Sequence, residues 1–123
     1  MDIEEKVTLV LVASDKPDRY SYKAINMLVD HDVPVHAVSR RPGRIADTIF
    51  IQGRPIINGI HTLTLYLNPL NQKVFYDYIL EIKPQRVIFN PGTENFELQD
   101  LLNKAGIEWE EACTLVLLTT NQF

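Results

Sequence analysis

Residues 7–22 read VTLVLVASDKPDRYSY, and this stretch decides the fold. Residues 7–13 form a continuous run of apolar and β-branched side chains, which is typical of a parallel strand buried on both faces. A polar loop containing Pro17 follows, and a helical spacing of apolar residues begins at Tyr20. The stretch therefore predicts a buried strand, a short loop and the beginning of a helix.

The rest of the chain repeats this alternation. The patterns predict helices over residues 20–32, 70–82 and 94–104, and strands over residues 35–38, 63–67, 86–89, 107–109 and 114–118. The inward faces of the first two helices are expected to include Val29 and Val74. Residues 45–60 are interrupted by glycine and proline, so the second crossover helix is predicted to be short or missing. We expect an α/β fold, a Rossmann-like three-layer domain with a mostly parallel sheet.

Length and composition are those of one globular unit. The chain has 123 residues, which suits a single domain over residues 1–123, and 46% of them are hydrophobic. The acidic start MDIEEK does not resemble a secretory signal, and the apolar runs are far shorter than the ~20 residues of a membrane-spanning helix. The net charge of −4 argues against a nucleic-acid partner. We therefore expect a cytoplasmic protein with neither a membrane nor a nucleic-acid partner.

The loop after the first strand is the strongest candidate for an anion site. Ligands of open parallel sheets bind beyond the carboxyl ends of the strands, where the strand order reverses. The helix that begins near Arg19 offers free N–H groups to an anion, the hydroxyls of Ser14 and Ser21 can donate hydrogen bonds, and Lys16 adds charge. Alternatively, Ser14, Asp15 and Asp18 only shape the turn and cap the helix. These residues alone leave both interpretations open.

Charge is unevenly distributed along the chain. Seven of the twelve basic residues fall between Lys16 and Arg54, although the chain as a whole is acidic. One interpretation is a basic rim around an anion site, and the other is a solvated surface of mixed charge. Which of the two holds depends on where the fold places these residues.

The motifs of common nucleotide-dependent enzymes are absent. The chain contains neither the G-x-G-x-x-G dinucleotide pattern nor the G-x-x-x-x-G-K-[ST] phosphate loop. No pair of its three histidines has the spacing of metal ligands, and the single cysteine, Cys113, precedes an apolar run that indicates a buried thiol. We see no catalytic constellation and no metal site, and we expect a protein that is not an enzyme.

A family resemblance rests on the same stretch that decides the fold. VLVASDKPDRYSY at residues 10–22 resembles the opening signature of the small CoA-binding domain family. These are stand-alone Rossmann-like proteins similar to the CoA-binding domain of the succinyl-CoA synthetase α subunit. Residues 35–39, residues 63–69, the segment AGIEW at residues 105–109 and Cys113 are also similar to the family's pattern.

The resemblance implies non-catalytic binding of CoA or an acyl-CoA through its ADP portion. It implies four groups of contacts. The pyrophosphate would meet the first loop, at Ala13, Ser14, Lys16, Arg19 and Ser21. The adenosine and its 3′-phosphate would lie near Ser39, Arg40 and Arg41. The adenine would be flanked by Leu67, Asn68 and Pro69, and the pantetheine side would be bordered by Asn90, Pro91 and Gly92.

One departure from the family pattern keeps other functions open. The chain has Val12 where the family usually has a glycine that lets a phosphate approach the backbone closely. One alternative is therefore a degenerate Rossmann-like module that no longer binds CoA and works through protein contacts, as a homo-oligomer or as the partner of an enzyme. The other is a small NAD(P)-dependent enzyme in which Arg40 and Arg41 hold a 2′-phosphate.

Overall fold

A six-stranded parallel sheet forms the centre of the molecule. The computed structural model describes residues 5–123, so residues 1–4 of the acidic start lie outside the described residues. The strand order across the sheet is β5-β2-β1-β6-β7-β8, and every neighbouring pair is parallel. Its strands are β1 (Thr8–Leu11), β2 (Val35–Ser39), β5 (Ile51–Gln52), β6 (Thr62–Leu65), β7 (Arg86–Phe89) and β8 (Glu108–Glu111), and a separate antiparallel hairpin consists of β3 (Arg44–Ile45) and β4 (Thr48–Ile49).

This order is that of the Rossmann fold, in which the chain first adds strands on one side of β1 and then on the other. The reversal lies between β1 and β6, whose ends are aligned through the pairing of Leu11 with Leu65. The helices are α1 (Tyr20–Asp30), α2 (Pro69–Gln72), α3 (Tyr76–Ile82), α4 (Phe96–Ala105) and α5 (Thr114–Thr119), with a 3₁₀ turn over Lys73–Phe75.

Alternation along β1 explains the three layers. Successive side chains of a strand point to opposite faces, and all four residues of β1 are buried. Leu9 and Leu11 pack in the core cluster that contains Ile79 of α3 and Leu98 of α4. Val10 packs in the opposite cluster, which includes Ile25 and Leu28 of α1 and Leu118 of α5. The predicted Rossmann-like three-layer α/β fold is confirmed.

The crossover between β5 and β6 contains no helix. Residues 53–61 run as turns and irregular backbone, so the prediction of a short or missing second crossover helix is confirmed. The antiparallel hairpin of β3 and β4 instead extends the preceding connection, from β2 to β5. Among the described residues no helix combines the length and hydropathy needed to cross a membrane.

The prediction of a last strand over residues 114–118 is wrong, because this segment forms helix α5. Its only buried residues are Thr114 and Leu118, four positions apart, which is the spacing of one helical face. Val116, between them, is 55% exposed. Because the segment is a continuous run of mostly apolar residues, its sequence shows no helical periodicity.

Two helix faces also differ from expectation. Val74 does not face inward and is 65% exposed, because the chain passes through the 3₁₀ turn before α3 begins at Tyr76. The turn changes the orientation of the apolar face, so that Phe75 is buried in place of Val74. Val29 of α1 lies at the edge of the apolar face and is 37% exposed, whereas Leu28 is fully buried.

Candidate functional site

A cleft of about 600 Å³ lies at the carboxyl ends of β1, β2 and β6, where the strand order reverses. This is the position at which open α/β sheets bind their ligands. It brings together most residues predicted from the sequence. The lining residues are Val12, Ala13, Ser14, Asp15, Lys16, Arg19, Ser21, Ser39, Arg40, Arg41, Pro42, Phe50, Tyr66, Leu67, Asn68 and Asn71.

The first loop presents an uncapped helix end to this cleft. Arg19 is the N-cap residue of α1, and its side chain makes no capping hydrogen bond. The Ser14 hydroxyl accepts a hydrogen bond from the Lys16 N–H at 3.2 Å, so Ser14 helps to shape the turn. The alternative in which Ser14, Asp15 and Asp18 cap the helix is not observed. The N–H groups of the first turn remain available to an anion.

Ser39 ties the ends of two strands together. Its hydroxyl donates to the Ala13 carbonyl at 3.0 Å and accepts from the Arg41 N–H at 3.2 Å. Ser39 is buried, whereas the side chains of Arg40 and Arg41 are exposed. The hydroxyl is therefore occupied within the protein, and it fixes the backbone from which the two arginine side chains extend.

The cleft holds an excess of positive charge. Lys16, Arg19, Arg40 and Arg41 line it, and Asp15 is its one acidic lining residue. Over residues 5–123, none of these four basic side chains has an ion-pair partner. The fold thus gathers four of the seven basic residues between Lys16 and Arg54 into one rim, whereas Lys23, Arg44 and Arg54 do not line the cleft.

The segment after β6 is held by hydrogen bonds and forms one wall of the cleft. The side-chain oxygen of Asn68 accepts from the Asn71 N–H at 3.0 Å and so caps α2, which begins with Pro69. The carbonyl of buried Leu67 accepts from the Gln72 side chain at 2.8 Å. Leu67 and Asn68 face the cleft, whereas Pro69 is not among its lining residues.

The segment after β7 lies beside the cleft rather than in it. Asn90 and Pro91 line a second cavity of about 160 Å³, and Gly92 lines neither space. The Asn90 amide donates to Thr64 Oγ1 at 2.7 Å and to the Leu65 carbonyl at 2.8 Å, while its oxygen accepts from the Thr114 N–H at 2.9 Å. The Asn90 side chain is thus fully engaged inside the protein.

Tyr66 is one of the lining residues that the sequence analysis missed, as are Phe50 and Asn71. It lines both the large cleft and the second cavity, so it forms part of the wall between them. The prediction of a strand over residues 63–67 placed it within the strand, whereas β6 ends at Leu65. Tyr66 is the first residue beyond that carboxyl end, and this position would have marked it as a site residue.

The Tyr66 hydroxyl is buried and has no hydrogen-bond partner among residues 5–123. Burial raises the pKa of Tyr66 to about 12, and the nearby hydroxyls of Thr64 and Thr114 offset only part of that effect. A buried hydroxyl without a partner costs free energy, on the order of 1–3 kcal/mol. The unpaired hydroxyl of Tyr66 therefore lowers the stability of the fold.

We expect the substitution Tyr66→Phe to raise the free energy of unfolding by about 1 kcal/mol at neutral pH, because it removes an unpaired buried hydroxyl. Tyr78→Phe is the matched control, since the Tyr78 hydroxyl donates to the Pro55 carbonyl at 2.7 Å and its removal should destabilise the protein by a similar amount. Urea denaturation of both variants measures the difference. Equal destabilisation of the two would contradict this account of Tyr66.

The raised pKa of Tyr66 also predicts how stability changes at alkaline pH. Between pH 10 and 12 the unfolded chain releases the phenol proton while the folded protein retains it, so the unfolded state is favoured as the pH rises. This group should remove about 2–3 kcal/mol of stability across that interval. Tyr66→Phe should reduce the loss of stability between pH 10 and 12 by that amount. Part of the loss should remain in both proteins, because burial also raises the pKa of Tyr78.

Comparison with known proteins identifies the family. A family model described as a CoA binding domain matches residues 6–119, nearly the whole chain. The chain belongs to the CoA binding domain family. The resemblance of residues 10–22 to that family is thereby confirmed. No functionally curated protein matches the chain.

Solved structures show the same CoA binding domain architecture. The crystal structure of an uncharacterized protein is 45% identical, has a TM-score of 0.94, and the match covers 98% of this chain and 100% of that one. A Thermus thermophilus protein is 20% identical, with a TM-score of 0.84 and coverages of 97% and 91%. A hypothetical protein from Pyrococcus horikoshii is 21% identical, with a TM-score of 0.79 and coverages of 91% and 80%. The last two show the fold alone.

Val12 does not close the cleft of this CoA binding domain. Its side chain is partly buried and packs against the core cluster that contains Leu11 and Phe75. The cleft keeps its volume of about 600 Å³ with the valine in place. Val12 therefore lines the cleft without filling it.

Proposed function

We propose that this protein binds CoA or an acyl-CoA through its ADP portion and catalyses no reaction on it. The observation that carries the proposal is the cleft at the strand-order reversal, where four basic side chains without ion-pair partners among the described residues surround an uncapped helix end. Membership in the CoA binding domain family supports the same ligand class. The proposal places the pyrophosphate at the first loop and the 3′-phosphate at Arg40 and Arg41.

Charge and geometry both favour phosphate groups in this cleft. The guanidinium group forms two parallel hydrogen bonds with a phosphate, and such charge-assisted bonds are about twice as strong as neutral ones. The N-terminus of α1 adds backbone N–H donors and the positive end of the helix dipole. Ser21, in the first turn of α1, lines the cleft and adds a hydroxyl donor.

Size and apolar surface suit an adenine nucleotide. The volume of about 600 Å³ lies within the range of roughly 300–1,000 Å³ that is usual for small-molecule sites. Phe50 and Leu67 are buried residues that line the cleft, and Pro42 lines it too. These apolar surfaces are able to cover the faces of a purine, while the basic residues hold its phosphates.

We propose binding without catalysis because the lining residues offer no activated nucleophile. The cleft is lined by neither a histidine nor a cysteine, and Cys113, the single cysteine of the chain, lines the second cavity beside it. Tyr66 is its only tyrosine, and burial raises the pKa of Tyr66 to about 12, which disfavours proton transfer near neutral pH. Among residues 5–123 no group of three or more His, Cys, Asp or Glu side chains is placed to hold a metal ion.

Isothermal titration calorimetry with CoA, dephospho-CoA, ADP, NADP and adenosine tests the proposal. Dephospho-CoA lacks only the 3′-phosphate, so we expect it to bind about 30- to 100-fold more weakly than CoA, as for the loss of the charge-assisted interactions with both arginines. Adenosine should bind much more weakly than ADP. The absence of heat with millimolar CoA, or equal affinity for CoA and adenosine, would overturn the proposal, and tighter binding of NADP than of CoA would favour a nicotinamide-dependent protein.

A further inference from the structure

We propose that the second cavity, lined by Tyr20, Tyr66, Asn90, Pro91, Cys113 and Leu115, is a chamber for the short hydrocarbon chain of an acyl-CoA. This inference rests on the proposed function, because it assumes that the ADP portion occupies the large cleft. It goes further by assigning a ligand class, the short-chain acyl thioesters, to a space outside that cleft. We call this space the acyl chamber.

The acyl chamber adjoins the cleft directly. Tyr66 lines both spaces, and Tyr20 of the chamber is the neighbour in sequence of Arg19 and Ser21, which line the cleft. A ligand held by its phosphates at the beginning of α1 would reach the chamber through its pantetheine arm, which the family resemblance places beside Asn90 and Pro91, two residues that line the chamber. The other walls come from the end of β7 and the beginning of α5, so the chamber is built from segments that belong to different elements of the fold.

The chemistry of the two spaces differs sharply. Basic side chains and one carboxylate line the cleft, whereas no charged residue lines the acyl chamber. Leu115, Pro91 and the rings of the two tyrosines supply apolar surface there. The Asn90 amide group is engaged with Thr64, Leu65 and Thr114 and has little left to offer a ligand. The chamber is thus suited to hydrocarbon and not to a charged group.

The volume of the acyl chamber limits the length of the chain. It measures about 160 Å³, and apolar cavities of roughly 150 Å³ in other proteins accept a molecule of the size of benzene. An acyl chain of about four to six carbon atoms has a comparable size, so butanoyl and hexanoyl groups should fill the chamber. Longer chains would have to extend into water and gain nothing more from burial.

Calorimetric titrations with CoA and with its acetyl, butanoyl, hexanoyl and dodecanoyl thioesters test this assignment. Each buried methylene group should raise affinity about fourfold, so butanoyl-CoA, with two more such groups, should bind roughly 15-fold more tightly than acetyl-CoA. Dodecanoyl-CoA should bind no more tightly than hexanoyl-CoA. Equal affinities for CoA and all four thioesters would overturn the acyl chamber and leave the proposed function standing, whereas failure of CoA itself to bind would overturn both.

Substitutions in α5 test whether the acyl chain binds in the chamber. Leu115→Trp should fill the chamber and abolish the gain of butanoyl-CoA over CoA, and Val116→Trp is the matched control because Val116 is the next residue of the helix and is 55% exposed. Leu115→Ala should enlarge the chamber, so that dodecanoyl-CoA binds more tightly than hexanoyl-CoA, which provides a second test if the tryptophan variant does not fold. An unchanged preference in the folded Leu115 variants would place the acyl group elsewhere and overturn the inference.

Discussion

Replacing both Arg40 and Arg41 by alanine is expected to weaken CoA binding about 30- to 100-fold. Both side chains are exposed, line the cleft and have no ion-pair partner among the described residues. Charge-assisted hydrogen bonds to phosphate contribute about 1.5–3 kcal/mol when formed, and the exposure of both arginines places their combined effect near 2–3 kcal/mol. Each 1.4 kcal/mol corresponds to about a tenfold change in affinity.

Calorimetry of the double variant with CoA and dephospho-CoA measures this effect and localises it. If the arginines hold the 3′-phosphate, the variant should lose its preference for CoA over dephospho-CoA as well as its affinity. The affinity of the native protein should also fall more steeply with added salt than that of the variant, because salt screens exposed charges.

A double variant of equal charge provides the control. Arg44→Ala with Lys73→Ala also removes two exposed basic side chains, and neither residue lines the cleft. Its CoA affinity should change less than twofold. If both double variants weakened binding equally, the effect would come from the net charge of the protein, and the assignment of Arg40 and Arg41 to the phosphate would be lost. Thermal unfolding should be nearly unchanged in both, since all four side chains are exposed.

The fold could be predicted from the sequence because its decisive pattern is local. Residues 7–22 contain the buried strand, the polar loop and the helix start in a single stretch, and the structure has β1, the loop and α1 there. The glycines and prolines of residues 45–60 likewise exclude a regular crossover helix through local backbone preferences. Parallel strands joined by helices then leave few arrangements, and the strand-order reversal follows from them.

Helix α5 could not be predicted in this way, because its conformation depends on distant contacts. The letters TLVLL suit a buried strand, and the chain instead forms a helix whose first N–H groups include Thr114, bonded to Asn90. Leu118 then reaches the core cluster on the α1 side of the sheet. A pattern within five residues contains no information about an acceptor that lies twenty-four positions earlier.

The candidate site shows the same division between local and distant information. The basic residues of the rim were recognisable from their types and from their positions after strand ends. The direction in which a side chain points at such a position could not be predicted. Ser39 and Asn90 follow strand ends as expected, but their polar groups form hydrogen bonds inside the protein. Tyr66 was missed because the exact end of β6 depends on its pairing with β1 and β7.

Replacing Asn90 by alanine is expected to lower the free energy of unfolding by about 3–4 kcal/mol, a large loss for a single substitution. Asn90 is 4% exposed, and its side chain makes three hydrogen bonds that join β6, β7 and the beginning of α5. Removing the amide leaves the Leu65 carbonyl and the Thr114 N–H without these bonds in a buried setting, at about 1–3 kcal/mol for each such group, and it also opens a small cavity.

Thermal and urea denaturation measure this loss, which corresponds to a fall in Tm of roughly 10–15 °C for a chain of this length. Asn103→Ala is the matched control, because the Asn103 side chain accepts from the Trp109 ring N–H at 2.9 Å in an exposed setting and should cost less than about 1 kcal/mol. A comparison of the stability of Asn90→Ala with its affinity for CoA also separates two roles for Asn90. The family resemblance implies that this residue borders the pantetheine side of the ligand, whereas the hydrogen bonds assign it to the support of α5 and the acyl chamber. If Asn90→Ala kept native stability but lost affinity for CoA, the amide would be a ligand contact. If it lost stability and retained CoA affinity at low temperature, where the variant is folded, its role would be to hold the wall against which the ligand lies.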